Sequence, residues 1–271
     1  MILNDLVAAA RTALERRRTA FPEASLRERL AGLPAPIDMA ARLRPSGSGR
    51  ATGLAVIAEV KRASPSRGDL NVALDPAAMA VRYARAGAAA VSVLTEESRF
   101  RGSLGDLTAA RRGLREASLQ TPLLRKDFIV APYQLVEARL AGADAALLIA
   151  AILDDAALER LLREALDLGL TPLVEVHDEA ELRRVLPLRP PVIGINNRNL
   201  ADFAVDVDTT RRLRPLVPPG IVVVSESGIR TPEQMAELAR LGVDAVLVGE
   251  ALVTAPDPAA RLAEFLEAGR C

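Results

Sequence analysis

The stretch TPEQMAELARLGVDAVLVGE, Thr231 to Glu250, contains one complete structural unit. Thr231-Pro232 sets a capping side chain in front of a proline at the first helical position, where a missing N–H costs nothing. Pro232–Leu241 then runs with helical periodicity. Leu241-Gly242-Val243-Asp244 ends it, since Gly242 can take the left-handed conformation that closes a helix. Ala245–Glu250 follows as a short run, apolar on both faces, that turns polar only at its last residues. A strand apolar on both faces belongs in a parallel sheet covered by helices.

Working outward, the unit repeats. Seven further runs precede it: Val56–Lys61, Ala89–Thr95, Pro122–Phe128, Ala146–Ile152, Thr171–Val176, Val192–Asn197 and Ile221–Ser227, starting about 21 to 33 residues apart. Helical segments such as Pro76–Arg85, Pro132–Leu140 and Ala156–Leu168 fill the gaps. Asp75-Pro76 repeats the helix start, and Ala86-Gly87-Ala88, Ala141-Gly142-Ala143-Asp144 and Leu168-Gly169 repeat the helix end. Eight βα units in one chain predict an α/β fold of the (β/α)8 TIM-barrel class. A doubly wound sheet would carry G-x-G-x-x-G after its first strand and would need fewer units; the chain has no such motif there.

Composition agrees. In 271 residues, 50% hydrophobic and 26% charged content is enough for a large core and excludes a mainly disordered chain. We read residues 1–271 as a single barrel domain, with residues 1–50 as an N-terminal helical extension. Lys+Arg and Asp+Glu both number 35, so the even charge argues against a nucleic-acid or anionic-membrane partner. One cysteine, Cys271, and one histidine, His177, leave no cysteine- or histidine-based metal cage and no internal disulfide. No apolar run approaches the ~20 residues of a membrane span, and the N-terminus lacks a secretion signal, so a cytoplasmic protein is expected.

The extension opens with Leu3–Arg18, an amphipathic helix with Leu3, Leu6, Val7, Ala10 and Leu14 on one stripe. Pro34, Pro36 and then Pro45-Ser46-Gly47-Ser48-Gly49 make a flexible approach to the first strand. The pattern fits equally a plug at the barrel bottom and a lid over its top.

Chemistry in such a barrel sits at the C-terminal ends of the strands. Those ends are polar here: Glu59-Val60-Lys61, Lys126-Asp127-Phe128, Glu175-Val176, Asn196-Asn197-Arg198 and Ser225-Glu226-Ser227-Gly228. Glu59 and Lys61, two apart, share a face. Of the 35 basic residues only Lys61 and Lys126 are lysine, and both fall in this set. With roughly two positions at each of eight ends counted as active face, two random lysines would both land there well under about one time in a hundred. Arginine carries charge but does not give up its proton, whereas lysine can. The two lysines are therefore expected to be catalytic.

Phosphate handling is the second signal. The loops after the last two strands, Ser227-Gly228-Ile229 and Gly249-Glu250, bring glycine backbone N–H groups where such barrels often hold phosphate. Glu250 would help only with its side chain turned away. Opposite lies Arg62-Ala63-Ser64-Pro65-Ser66-Arg67-Gly68, rich in hydroxyls and arginine.

These motifs together resemble the indole-3-glycerol phosphate synthase family: Glu59-Val60-Lys61-Arg62-Ala63-Ser64-Pro65-Ser66, Leu124-Arg125-Lys126-Asp127-Phe128-Ile129, Leu173-Val174-Glu175-Val176-His177, Gly194-Ile195-Asn196-Asn197-Arg198-Asn199-Leu200, Val224-Ser225-Glu226-Ser227-Gly228-Ile229 and Val248-Gly249. The resemblance runs in order over essentially the whole chain. It implies a carbon–carbon lyase of tryptophan biosynthesis acting on 1-(2-carboxyphenylamino)-1-deoxyribulose 5-phosphate, without cofactor or metal. It further implies an N-terminal segment that caps the barrel near the active site. By resemblance, Lys126 is the general acid at the ribulose carbonyl oxygen, Glu175 and Lys61 serve the later proton transfers, and Glu59 is a base or electrostatic partner. Asn196 and Ser227 orient the substrate; Arg62, Ser64, Gly228 and Gly249 grip the phosphate. Phe128, Arg198, Leu200 and Glu226 belong to the same binding set, and Glu250 stands where some relatives have serine. The binding partner is then a small phosphosugar, and the chain is expected to be a monomer.

Bystanders have plainer readings. His177, just before Asp178-Glu179, is read as a helix-start residue, Asp127 as a partner of Arg125 or Arg198, Arg16-Arg17-Arg18 as a solvated helix end, and Cys271 as inert. The competing functions are another phosphosugar barrel enzyme, such as phosphoribosylanthranilate isomerase, and a catalytically dead scaffold. The filled lysine and glutamate positions argue against both.

Overall fold

The computed structural model describes residues 2–44, 53–199 and 204–270. Pro45-Ser46-Gly47-Ser48-Gly49, Leu200 and Cys271, each given a role above, lie outside the described residues. Eight parallel strands close into a barrel: β1 (Ala55–Val60), β2 (Ala90–Leu94), β3 (Leu123–Lys126), β4 (Ala145–Ile149), β5 (Thr171–Val176), β6 (Val192–Asn196), β7 (Val222–Glu226) and β8 (Ala245–Val248). Each pairs with its neighbours in sequence, and β1 closes the ring on β8 with Ala55 opposite Ala245 and Ala58 opposite Val248. This is the expected TIM barrel.

The helices fall where the repeat requires. Among the described residues three precede the barrel: α1 (Ile2–Ala20), α2 (Glu23–Glu28) and α3 (Met39–Leu43). Around it lie α4 (Pro76–Arg85), α5 (Leu104–Glu116), α6 (Pro132–Leu140), α7 (Asp155–Asp167), α8 (Glu179–Val185), α9 (Asp208–Leu213), α10 (Pro232–Arg240), α11 (Glu250–Val253) and α12 (Pro258–Ala268). The cap signals operate as read: Asp75 accepts from the N–H groups of Ala77 and Ala78, and Thr231 from that of Gln234. Gly87, Gly142, Gly169 and Gly242 all sit at positive φ, between 74° and 99°. Seven of the eight strands stop one to three residues short of the apolar runs, while β5 ends with its run at Val176, so Lys61, Phe128, Ser227 and Glu250 stand on backbone leaving the sheet.

Apolar side chains form two shells. The outer one, with Val56, Val91, Val174 and Val246, faces the helices. The inner one fills the lumen with Ile57, Leu124, Leu147, Leu173, Val224 and Leu247. Both ends of that lumen are closed by the N-terminal extension, and by different parts of it. At the bottom, Met39 and Leu43 of α3 are wholly buried in the inner shell. Four hydrogen bonds fasten this end: the Ile37 N–H donates to Asp144 Oδ1, the Met39 N–H to Thr171 Oγ1, Arg42 to the Gln120 carbonyl and Arg44 to the Gly220 carbonyl. At the top, Leu6 of α1 joins the same shell beside Phe128. The far end of α1 is anchored on α6, where the Tyr133 hydroxyl donates to the carbonyls of Arg17 and Phe21, and Arg17 pairs with Glu137 at 2.6 Å. Lid and plug are thus both present: α1 is the lid, and α3, which the sequence reading did not separate, is the plug.

Candidate active site

Under α1, at the C-terminal ends of the strands, lies a chamber of about 150 Å³. Glu59, Lys61, Ser64, Lys126, Phe128, Glu175 and Asn196 line it. So do Arg198, Glu226, Ser227, Gly228, Gly249 and Glu250. Thirteen of the fifteen residues singled out from the sequence therefore meet in one place. Leu200 is outside the described residues. Arg62 is turned away: its guanidinium is held by Asp106 of α5 at 2.5 and 3.0 Å and by the Arg101 carbonyl at 3.2 Å. That side chain ties the first βα loop to α5 and does not line the chamber.

Barrel geometry explains the charged cluster. Inward side chains at one level come from alternate strands. Glu59, Lys126, Glu175 and Glu226 come from β1, β3, β5 and β7, the odd set, and form one charged layer. Lys126 Nζ lies 3.0 Å from Glu175 Oε2 and 3.3 Å from Glu226 Oε2. Lys61 Nζ lies 2.9 Å from Glu59 Oε1. Each lysine thus has its own carboxylates.

All three carboxylates in this layer are nearly inaccessible to solvent. Burial works against the Lys126 ammonium, but Glu175, Glu226 and Glu59 outweigh it and raise its proton affinity well above that of an ordinary lysine. Burial also works against ionised Glu175; Lys126 and His177 outweigh it and hold Glu175 well below the usual carboxylate range. Glu226 goes the other way. Burial pushes it up to about 8, the Glu175 charge adds to that, and Lys126 offsets only part. The layer therefore favours a proton on Glu226 over one on Glu175, with the Lys126 ammonium between them.

Glycines make room for this layer. A Cβ on Gly194 would collide with Glu226 Oε1, and one on Gly249 would collide with Glu59 Oε1 and sit 3.1 Å from Lys61 Nζ. Gly249, picked out for phosphate, thus also clears space for the Glu59–Lys61 pair. Gly228 has φ of 80° and follows Ser227 at 66°, so consecutive left-handed residues turn the backbone at the end of β7. The buried Ser64 hydroxyl has no partner among the described residues and borders the chamber. Arg198 donates to Ser66 Oγ at 3.4 Å. The Glu250 carboxylate points to the rim, where Arg67 holds it at 2.8 Å and Arg230 at 3.4 Å.

Behind β3, Arg125 is fully buried and bonded to Asp127 at 2.7 Å and to the Gln134 carbonyl at 2.6 Å. Gln134 in turn accepts from the N–H groups of Val130 and Ala131 and donates to the Phe128 carbonyl. This network fixes the loop that presents Lys126 and Phe128. Asp127 thus pairs with Arg125, one of its two expected partners.

Several lining residues were not among the site residues expected from the sequence, although Leu3 and Leu6 lie on the apolar stripe noted above. Leu3 and Leu6 come from α1, while Phe100 comes from the loop after β2. Glu96 shapes that loop: its carboxylate accepts from the N–H groups of Ser98, Arg99 and Phe100 and from the Ser98 hydroxyl. The signal was present, since Thr95-Glu96 is another polar strand end. Arg230 has no distinguishing local pattern. Among the described residues no group of three or more histidine, cysteine, aspartate or glutamate side chains is placed to hold a metal ion, and no helix is long and apolar enough to cross a membrane.

The family model for indole-3-glycerol phosphate synthase matches residues 3–265. The chain is 53% identical over 257 residues to the indole-3-glycerol phosphate synthase of a Nocardioides species, covering 95% of each chain. To that of Streptomyces griseus it is 48% identical over 268 residues, covering 99% of this chain and 96% of the other. Among solved structures it is similar to 3-hexulose-6-phosphate synthase from Salmonella typhimurium, with a TM-score of 0.61, 16% identity, and 79% of this chain and 98% of that one covered. It is also similar to tryptophan synthase subunit alpha from Legionella pneumophila, with a TM-score of 0.57, 16% identity, and 79% and 92% covered. At that identity the solved structures bear on the fold alone.

Proposed function

The chain belongs to the indole-3-glycerol phosphate synthase family, and from that premise we propose how its residues divide the reaction. The protein is a decarboxylating carbon–carbon lyase of tryptophan biosynthesis. It converts 1-(2-carboxyphenylamino)-1-deoxyribulose 5-phosphate into indole-3-glycerol phosphate, carbon dioxide and water. One observation carries the division of roles: the two lysines are held by separate carboxylates, Lys61 by Glu59 and Lys126 by Glu175 and Glu226.

The first bond forms when the carboxyl-bearing ring carbon attacks the ribulose carbonyl. Lys126 gives its proton to the oxygen as alkoxide charge develops there; its high proton affinity withholds the proton until then. Glu226, protonated and 3.3 Å away, can restore that proton. The carboxylate leaves as carbon dioxide, and its bonding electrons return to the ring. Lys61 then protonates the departing hydroxyl, and ionised Glu175 takes a proton from the ring carbon or nitrogen. Two protons enter and one leaves, so one is consumed overall, as loss of a carboxylate as neutral carbon dioxide requires.

Binding follows the same geometry. Phe128, Phe100, Leu3 and Leu6 supply an apolar wall for the carboxyphenyl ring. Asn196 and Ser227 orient the sugar; the Gly228 and Gly249 N–H groups, Ser64 and Arg198 receive the phosphate, with Leu200 in the same binding set. Arg62 acts from outside by holding its loop, and Glu250 holds Arg67 and Arg230 at the rim. The reading makes the protein a cofactor-free monomer of the cytoplasm, one domain over residues 1–271.

Indole fluorescence developing from the carboxyphenylamino-deoxyribulose phosphate tests the activity. Lys126→Arg tests the role of Lys126, because arginine keeps the charge but is a poor proton donor near neutrality. We expect kcat to fall ~10²–10⁴-fold, the usual worth of general acid catalysis, with a smaller effect on KM. A folded variant within a few-fold of the parent would remove Lys126 as the acid.

A further inference from the structure

His177 is the one histidine in the chain and a half-buried titratable side chain next to the charged layer that the mechanism above leaves unused. Its ring lies behind Glu175. Nε2 is 3.2 Å from Glu175 Oε1, an ion-pair contact without hydrogen-bond alignment. Nδ1 is 3.1 Å from Glu181 Oε2, in the first turn of α8. The same Glu181 oxygen accepts the His177 backbone N–H at 2.8 Å, so one carboxylate fixes both ring and backbone. Glu181 is itself set by Asp178, which accepts its N–H. Glu181, His177, Glu175, Lys126 and Glu226 therefore form a line of alternating acids and bases, with successive contacts of 3.1, 3.2, 3.0 and 3.3 Å.

The asymmetry of this line matters. Glu175 and Glu226 are both buried and both touch the single Lys126 ammonium, which hydrogen-bonds Glu175 at 3.0 Å and lies 3.3 Å from Glu226. Three charged or titratable groups face Glu175: Lys126 from β3, Glu226 from β7 and His177 from just beyond its own strand. The last adds a second bias to the closer approach of Lys126, because it touches Glu175 and not Glu226. We propose that His177, braced by Glu181, is a positioning residue that holds Glu175 ionised and oriented, and thereby assigns the chamber's shared proton to Glu226. The imidazole suits this task. Burial disfavours its charge, but Glu175 and Glu181 overcome that and raise it to about 10. The inference rests on the reading of Glu175 as the base.

The test measures the protons directly. In protein labelled with carbon-13 at glutamate carboxyls, Glu175→Gln and Glu226→Gln assign the two signals. In His177→Gln we expect the Glu175 midpoint to rise and the Glu226 midpoint to fall, each by about one pH unit, a tenfold change in proton affinity. The acidic limb of kcat should move upward with Glu175, because losing a positive neighbour makes the carboxylate easier to protonate. KM should change less than threefold. The lone histidine also gives an unambiguous proton NMR signal in the unsubstituted enzyme: it should be that of an imidazolium at pH 8, and Glu181→Gln should lower its midpoint. This second arm stands even where His177→Gln fails to fold. A neutral imidazole at pH 7.5, or a folded His177→Gln protein whose two carboxyl midpoints are unmoved, overturns the positioning role. Should Glu175→Gln keep its kcat, the assignment of Glu175 as base falls and this inference with it; if Glu175→Gln is inactive and the midpoints stay put, only the inference falls.

Discussion

At the scale of single residues, the site contains a conflict between stability and chemistry that Glu226 illustrates. Its carboxyl is pushed up to about 8 by burial in the folded protein, against an ordinary value near 4.5. Below pH ~4.5 both folded and unfolded chains hold the proton, and the group costs nothing. Between about 4.5 and 8 the unfolded chain ionises while the folded one does not, so stability is lost as pH rises through that window; above 8 the loss is complete. Glu226→Gln removes the ionisable group but keeps the shape. We expect it to raise Tm by roughly 2–4 °C at pH 7.5, the shift about 1 kcal/mol produces in a large domain. The gain should vanish at pH 4, while turnover falls because Lys126 loses its proton source. Calorimetry at the two pH values, with kcat measured alongside, checks this; equal Tm at pH 7.5 would contradict a strained buried carboxyl.

At the scale of elements, the extension divides its work between the two ends of the barrel. α1 contributes Leu3 and Leu6 to the chamber, and α3 contributes Met39 and Leu43 to the bottom of the lumen. Deleting residues 1–20 should leave a folded barrel with a KM raised roughly tenfold, the equivalent of about 1.4 kcal/mol of lost apolar contact. Deleting residues 1–44 should also unseat the plug and lower Tm sharply, since it removes two wholly buried side chains and four hydrogen bonds. Steady-state kinetics and thermal melts on both truncations separate the two roles. An unchanged KM in the shorter truncation would mean that α1 does not cover the substrate.

At the scale of the whole molecule, the barrel separates stability from catalysis along its axis. The charged layer sits at the C-terminal ends of the strands, and Met39 sits at the opposite end in the inner shell. Met39→Ala should cost ~2–5 kcal/mol, as large-to-small changes at fully buried sites do, and should lower Tm accordingly. kcat at 25 °C should stay within about twofold, because the closed lumen between the two ends is packed and the catalytic layer keeps its own supports. A parallel loss of kcat would show that the plug and the site are coupled through the core.

Much of this architecture is legible in the chain. The alternation of apolar runs with capped, glycine-terminated helices specifies the barrel, because burial pattern and cap conformation are local properties. Gly87, Gly142, Gly169 and Gly242 all adopt the positive φ that their positions demanded. The scarcity of lysine isolated Lys61 and Lys126, and both line the chamber. What remained for the tertiary structure is which groups meet. Closure of eight strands brings β3, β5 and β7 to one level of the lumen, and so sets Lys126 between Glu175 and Glu226, separated from it by 49 and 100 positions in the chain. The same closure gives Arg62 to Asp106 and Glu250 to Arg67, and lays α1 over one end while α3 enters the other. Local patterns name candidates by type and face. Distances between side chains from different strands follow only from register and barrel curvature, which no short stretch of sequence contains.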